Sequence, residues 1–132
     1  MSQINAYLTF DGRTREAMTF YKDCLGGELS LLAVKDSPMA GQWPDEVQEK
    51  ILHASLVKGP LTLLASDMKG AEKLVRGNTI SLALSCSSEE EISACFEKLS
   101  AGGKVSHPLH KFFDGTIGAL TDKFGMNWVL KL

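Results

Sequence analysis

The sequence predicts an α+β fold assembled from two copies of one βαβββ module. Three observations point there: an internal repeat, an amphipathic helical stretch at the same place in each copy, and short alternating strands around it. Shifting residues 6–30 by 76 positions onto 82–106 aligns six identities: Leu8/Leu84, Phe20/Phe96, Lys22/Lys98, Gly26/Gly102, Gly27/Gly103 and Ser30/Ser106. Composition alone would give roughly one or two. Each copy reads strand, polar turn, helix, Gly-Gly, strand. Binding sites in such folds tend to lie between the repeats.

Residues 4–10 alternate as a strand and end in the turn Asp11-Gly12. From Arg13 to Leu25, apolar residues fall at Ala17, Phe20, Tyr21, Cys24 and Leu25, the spacing of one buried helical face. Gly26 follows where a left-handed residue ends a helix. A second strand covers Leu29–Val34. Residues 36–50 form a long polar loop carrying Pro38, Met39, Trp43 and Pro44, and a loop of that length is more often functional or mobile than merely connecting. Ile51–Val57 and Leu61–Ala65 read as a hairpin around Lys58-Gly59-Pro60, which completes a first module at 1–66. The polar, glycine-punctuated segment 67–77 reads as a connector, and the second module occupies 78–132. It opens with a strand over Thr79–Cys86. Ser88 and Glu91 have capping-box spacing before a helix that buries Ile92, Cys95, Phe96 and Leu99 and ends at Gly102-Gly103. Short strands near Lys104–Ser106, Thr116–Thr121 and Asn127–Leu132 finish the copy.

The bulk numbers exclude several functions. A chain of 132 residues, 44% hydrophobic and 23% charged, is one ordinary globular domain with a sizeable core. Its net charge is −2, and Arg13, Arg15, Lys69, Lys73 and Arg76 are scattered among acids, so no nucleic-acid partner is expected. No apolar run approaches the ~18 residues that span a bilayer, so no membrane partner is expected either. The opening Met-Ser-Gln-Ile-Asn lacks the pattern of a signal peptide, and a cytoplasmic location is the expectation. Cys24, Cys86 and Cys95 are odd in number and form no C-x-x-C, which reads as reduced, packed thiols.

Several segments then fit one pattern. Tyr7-Leu8-Thr9-Phe10-Asp11-Gly12, with Glu16-Ala17, Phe20-Tyr21 and Gly26-Gly27-Glu28, resembles the opening of the PhnB-like proteins. These belong to the vicinal oxygen chelate superfamily, with glyoxalase I, bleomycin-resistance proteins and extradiol dioxygenases. His53-Ala54, Ala65-Ser66-Asp67 and Asp122-Lys123-Phe124-Gly125-Met126-Asn127-Trp128 are similar to the same group, so the resemblance spans the chain. It implies curved mixed sheets around a shared cleft, the glyoxalase/bleomycin-resistance fold, and a homodimer. In the superfamily's enzymes one divalent metal is held by four side chains, one each from the first and last strands of the two modules, and acts as a Lewis acid. Carried over residue by residue, those positions hold Asn5, Ser81, Val129 and either Leu63 or Leu64. None supplies imidazole, carboxylate or thiolate, so no metal and no cofactor are expected.

Strand alternation assigns the cleft. Asn5, Tyr7 and Thr9 point into it, with Ile4, Leu8 and Phe10 in the apolar set. Leu52 and Leu56 face the helix and leave His53, Ser55 and Val57 on the other side. Trp128, Leu130 and Leu132 pack inward and leave Asn127, Val129 and Lys131. The ligand-binding candidates are therefore Asn5, Tyr7, Trp43, Ser55, Asp67, Ser81, Phe113 and Val129, with Met39 and Trp43 forming a lid or a dimer contact. His53 is the candidate general base, because imidazole changes charge nearest neutral pH; a hydrogen-bonded structural histidine is the competing reading. His107 and His110 flank Pro108 and read as loop histidines near a cleft rim that also holds Phe112, Phe113 and Asp114. There is no Walker loop, dinucleotide fingerprint, G-x-S-x-G elbow or H-E-x-x-H. The Gly-Gly pairs end helices and so cannot cradle phosphate, which leaves the methyltransferase-type label of some PhnB-like sequences without a nucleotide loop here. The expectation is a protein that binds a small organic ligand without the superfamily's metal. Two alternatives stay open: a metal-independent isomerase or lyase using His53 with Tyr7 or Asp67, and a metal-dependent lyase or dioxygenase with a non-standard site.

Overall fold

A computed structural model describes residues 2–132. The chain divides into two compact units, one running to Leu74 and the other starting at Val75. The first unit contains β1 (Ala6–Thr9), α1 (Thr14–Leu25), β2 (Glu28–Ala33), β3 (Ile51–Lys58) and β4 (Leu61–Ser66). The second contains β5 (Leu82–Ser85), α2 (Glu89–Ser100), β6 (Lys104–Phe112), β7 (Gly115–Thr121) and β8 (Asn127–Lys131). Each forms a mixed four-stranded sheet, ordered β1-β4-β3-β2 and β5-β8-β7-β6. In both, the outer pair beginning with the first strand is parallel and the rest is antiparallel. This is the expected α+β pair of βαβββ modules.

Each core is a helix laid on one sheet face. Helix α1 buries Thr14, Ala17, Met18, Tyr21, Cys24 and Leu25. It packs on β2, β3 and β4 of its own sheet, where Ala54, Leu56, Leu63 and Ala65 are buried, as are Leu8 and Phe10. Helix α2 buries Ile92, Phe96 and Leu99 beside Leu120, Trp128 and Leu130. Each large apolar side chain removed from water contributes about 1.5–3 kcal/mol. Met18 takes a core place that periodicity assigned to Phe20, which is only half-buried. Ile4 is not in the apolar set: β1 begins at Ala6, and Ile4, outside the ladder, is 99% exposed.

The two helices start differently. Ser88 caps α2, its Oγ accepting from the Glu91 N–H at 3.0 Å, while Glu91 reaches back to the Ser87 N–H and hydroxyl at 2.6 and 3.1 Å. At α1 the cap position holds Arg13, which makes no capping bond. Asp67, fifty-three residues beyond Thr14, substitutes: Oδ1 accepts from the Thr14 N–H and Oδ2 from the Ile51 N–H, both at 2.9 Å. One buried carboxylate thus joins the helix N-terminus to the start of β3, with its charge at the favourable end of the helix dipole.

The Asp-x-Phe-Gly-x-x-Trp ending is also a folding device. Asp122 Oδ1 accepts from the Phe124 and Met126 N–H groups at 2.8 and 3.1 Å, and Oδ2 from Trp128 Nε1 at 2.8 Å. The repeated Gly-Gly has a shared cause as well. A Cβ on Gly27 would lie 2.7 Å from the Val57 carbonyl oxygen, and one on Gly103 would collide with that of Thr121. Both glycines let the strand after the helix enter its sheet.

Residues 34–50 are not structureless. They contain three short 3₁₀ turns, at Val34–Asp36, Ala40–Gln42 and Asp45–Val47. The Gln48 amide ties them together by donating to the carbonyls of Ala40 and Trp43 at 2.9 Å each. Among the described residues, no helix is long and apolar enough to cross a membrane.

Candidate functional site

Each sheet has one face under its helix and one face without it, and the pairing registers show which side chains share the uncovered face. In the first sheet Tyr7, Leu64, Ser55 and Ser30 lie side by side across all four strands, and His53 pairs with Leu32 in the next row. Leu63 is buried on the helix side, so the last-strand position of this unit on the uncovered face is Leu64. In the second sheet the matching row is Ala83, Val129, Ala119 and His107, followed by Ser85, Lys131, Ile117 and His110.

The second sheet carries a recess of about 290 Å³, near the lower end of the ~300–1,000 Å³ range of ligand pockets. His107, His110, Phe112, Ile117, Ala119 and Val129 line it, over the backbone of Gly118. A bulged edge strand builds it. Val105 pairs with Leu120, His107 with Ala119 and His110 with Ile117, so five steps along β6 match three along β7. Without the bulges, residues three apart would point to opposite faces; with them, both imidazoles reach the same recess. His107 and His110 are therefore strand residues and not loop residues. Pro108 does not end the strand, because β6 is an edge strand, where a bulge accommodates proline and a missing N–H breaks no ladder.

Within the recess His110 Nδ1 lies 2.8 Å from the Pro108 carbonyl oxygen. The ring stands edge-on to Phe112, with centroids 6.4 Å apart, and Phe112 contacts Phe113 at 4.5 Å. Phe113 occupies the two-residue turn between β6 and β7 with φ +55° and is 92% exposed.

The other candidates lie elsewhere. His53 is exposed and Ser55 half-buried on the first sheet's uncovered face, near Tyr7. Asn5 is exposed and accepts from the Gln3 amide at 2.8 Å. Ser81 is exposed just before β5. Trp43 is half-buried within its own loop, its indole N–H shielded from solvent without a hydrogen-bond partner. Asp67 has both oxygens engaged by backbone amides. Val129 alone of the candidates lines the recess, and Phe113 adjoins it through Phe112. A second, larger recess of about 480 Å³ lies at the start of α1 among Gly12, Arg15, Glu16, Glu49, Lys50 and Ile51, and the candidate Asp67 lines it too. Its charges largely pair off, with Arg13–Glu16 at 3.0 Å, Lys35–Glu49 at 2.8 Å and Lys50–Asp11 at 3.8 Å.

The superfamily's metal does not fit the donors present. Asn5 and Ser81 offer only neutral oxygens, and Leu64 and Val129 offer none. Among the described residues no three His, Cys, Asp or Glu side chains cluster to hold an ion. The two imidazoles of the recess lack a third ligand of that kind.

Comparison with known proteins agrees with this architecture. Residues 2–131 match the model of the family described as 3-demethylubiquinone-9 3-methyltransferase. The solved structure of protein PA1353 from Pseudomonas aeruginosa superposes with a TM-score of 0.86 at 37% identity, covering 98% of this chain and 96% of that one. A PhnB protein from Bacillus cereus, described as a putative 3-demethylubiquinone-9 3-methyltransferase, gives 0.75 at 26% identity over 99% of each chain. Protein YjdN of Escherichia coli is 27% identical over 98% of this chain and 94% of its own. The fold alone is shared with a glyoxylase/bleomycin resistance protein/dioxygenase domain from Frankia sp. EAN1pec, at TM-score 0.63 and 17% identity over 100% and 92% of the two chains.

Proposed function

We propose that this chain, which belongs to the 3-demethylubiquinone-9 3-methyltransferase family, the PhnB-like branch of the vicinal oxygen chelate superfamily, binds a small and largely hydrocarbon organic molecule in the second sheet's recess. The observation that carries this is the recess itself, hydrocarbon walls with two imidazoles as the only polar side chains lining it. Few polar groups among apolar ones is the usual make-up of a small-molecule site. Binding proceeds without a divalent metal at Asn5, Leu64, Ser81 and Val129, since stripping a dication of water without anionic or imidazole ligands is strongly unfavourable. The methyltransferase in the family's description gains no support from these residues. We further place the protein in the cytoplasm as a homodimer. Its three cysteines form no disulfide, and Tyr7, Leu32 and Val57 leave apolar surface on the first sheet.

The test is a fragment screen followed by backbone amide shifts of the intact protein, with light scattering and metal titration on the same sample. Shifts should centre on His107, His110, Ile117, Ala119 and Val129. Shifts confined to Tyr7, His53 and Ser55 would move the site to the first sheet and revive a role for His53. Stoichiometric zinc, nickel or manganese at the four named positions would overturn the metal-free reading, and a particle of 14.4 kDa would overturn the dimer.

A further inference from the structure

The recess also dictates what its ligand must carry, and this rests on the reading just proposed. His110 Nδ1 lies 2.8 Å from the carbonyl oxygen of Pro108 in its own strand. A carbonyl only accepts, so the proton of the neutral ring sits on Nδ1 and the lone pair on Nε2. Backbone geometry therefore selects one tautomer and leaves Nε2 as the acceptor of a ring that lines the recess. The walls beside it, Phe112, Ile117, Ala119 and Val129, are hydrocarbon, and no carboxylate, guanidinium or ammonium lines the recess. A ligand with acceptors alone would leave the lone pair of the neutral ring unmatched. An apolar body with one hydroxyl donor satisfies the His110 lone pair and the hydrocarbon walls. The ring of Phe112, edge-on to His110, favours an aromatic body, because aromatic rings pair edge-to-face or offset.

We propose that the recess takes a neutral hydroxylated aromatic molecule, its O–H donating to His110 Nε2 and its ring lying along Phe112, Ile117 and Val129. Three fluorescent probes separate the possibilities: 2-naphthol, its ether 2-methoxynaphthalene, and 2-naphthoate. Titrated into the full chain at neutral pH, 2-naphthol should bind about three- to tenfold more tightly than the ether, the range of one neutral hydrogen bond. His110→Phe, which keeps a ring and removes the lone pair, should close that gap, and His53→Ala should leave it open. His110 is exposed, so the variant is expected to fold, which circular dichroism checks. Imidazole nitrogen NMR of the ligand-free protein should find His110 protonated at Nδ1.

Equal binding of naphthol and ether, tightest binding of naphthoate, a gap that survives in His110→Phe, or an Nε2-protonated ring would each overturn the donor assignment. Equal binding would still leave an apolar ligand site standing. Failure of all three probes to bind would count against the recess as a ligand site altogether.

Discussion

The two copies of the module agree in strand order and in the face each helix covers, and they part company most at one connection. Their offset is 76 at Leu8/Leu84 and 65 at Leu64/Val129, the residues that hold matching places in the two sheets. The first copy passes from β2 to β3 through residues 34–50 and their 3₁₀ turns, whereas the second turns within Phe113-Asp114. The tight turn lets β6 run on for nine residues as a bulged edge strand carrying both imidazoles of the recess. In the first copy the imidazole sits on inner strand β3, where His53 holds the place of Ile117. Packing constrains the covered faces of both copies alike, and the uncovered faces and connections are where they have been free to differ.

The largest expected effects test the likeness. Asp67 and Asp122 are each 3% exposed and hold backbone groups that would otherwise be orphaned. Asp122→Ala, and Asp67→Ala slightly less, should each cost about 3 kcal/mol in urea denaturation, since each strands two or more buried donors. A loss below about 1 kcal/mol in Asp67→Ala would mean that α1 has another cap and that the two copies begin their helices alike.

A smaller effect tests the divergent connection. Phe113 adopts φ +55° where hairpin turns prefer asparagine or glycine. Phe113→Asn should stabilise the fold by about 1 kcal/mol, read as a higher denaturation midpoint. If Phe113 contacts the ligand of the neighbouring recess, the same variant should weaken binding; unchanged stability would show that the turn carries no strain.

The smallest effect concerns a half-buried thiol just after β5. Burial pushes the Cys86 thiol up to about 11, with Cys95 and Glu91 adding to it. The folded state therefore holds this proton more tightly than the unfolded chain, whose thiol titrates near ~8.5. The contribution is intact below that value and fades as pH climbs from there toward 11. The stability difference between the parent and Cys86→Ala should shrink across that window. A difference that grew with pH would contradict a shielded thiol.

Much of this was legible in the chain. The repeat, the helical periodicities, Ser88 with Glu91 and the Gly-Gly doublets led to two βαβββ modules, because each rests on contacts between residues close in sequence. The resemblance carried by Asp122 to Trp128 was legible too, though its cause, a carboxylate gathering three N–H groups, was not. The recess escaped for a definite reason. Period-two alternation assumes an unbroken ladder, and Pro108 suggested that the strand had ended, while the bulges that bring His107 and His110 to one face exist only through pairing with β7.

Sequence by itself determined where each helix runs, since local spacing suffices for that, and the resemblance it carries implied that the superfamily's metal positions fall on Asn5, Ser81 and Val129. Tertiary structure alone decided that Asp67 caps a helix fifty-three residues away, that Leu64 and not Leu63 faces outward, and that two histidines three apart share a pocket. The physical reason is the same in all three: register and capping are set by partners distant in the chain, and a one-residue slip in a strand reverses every side chain that follows.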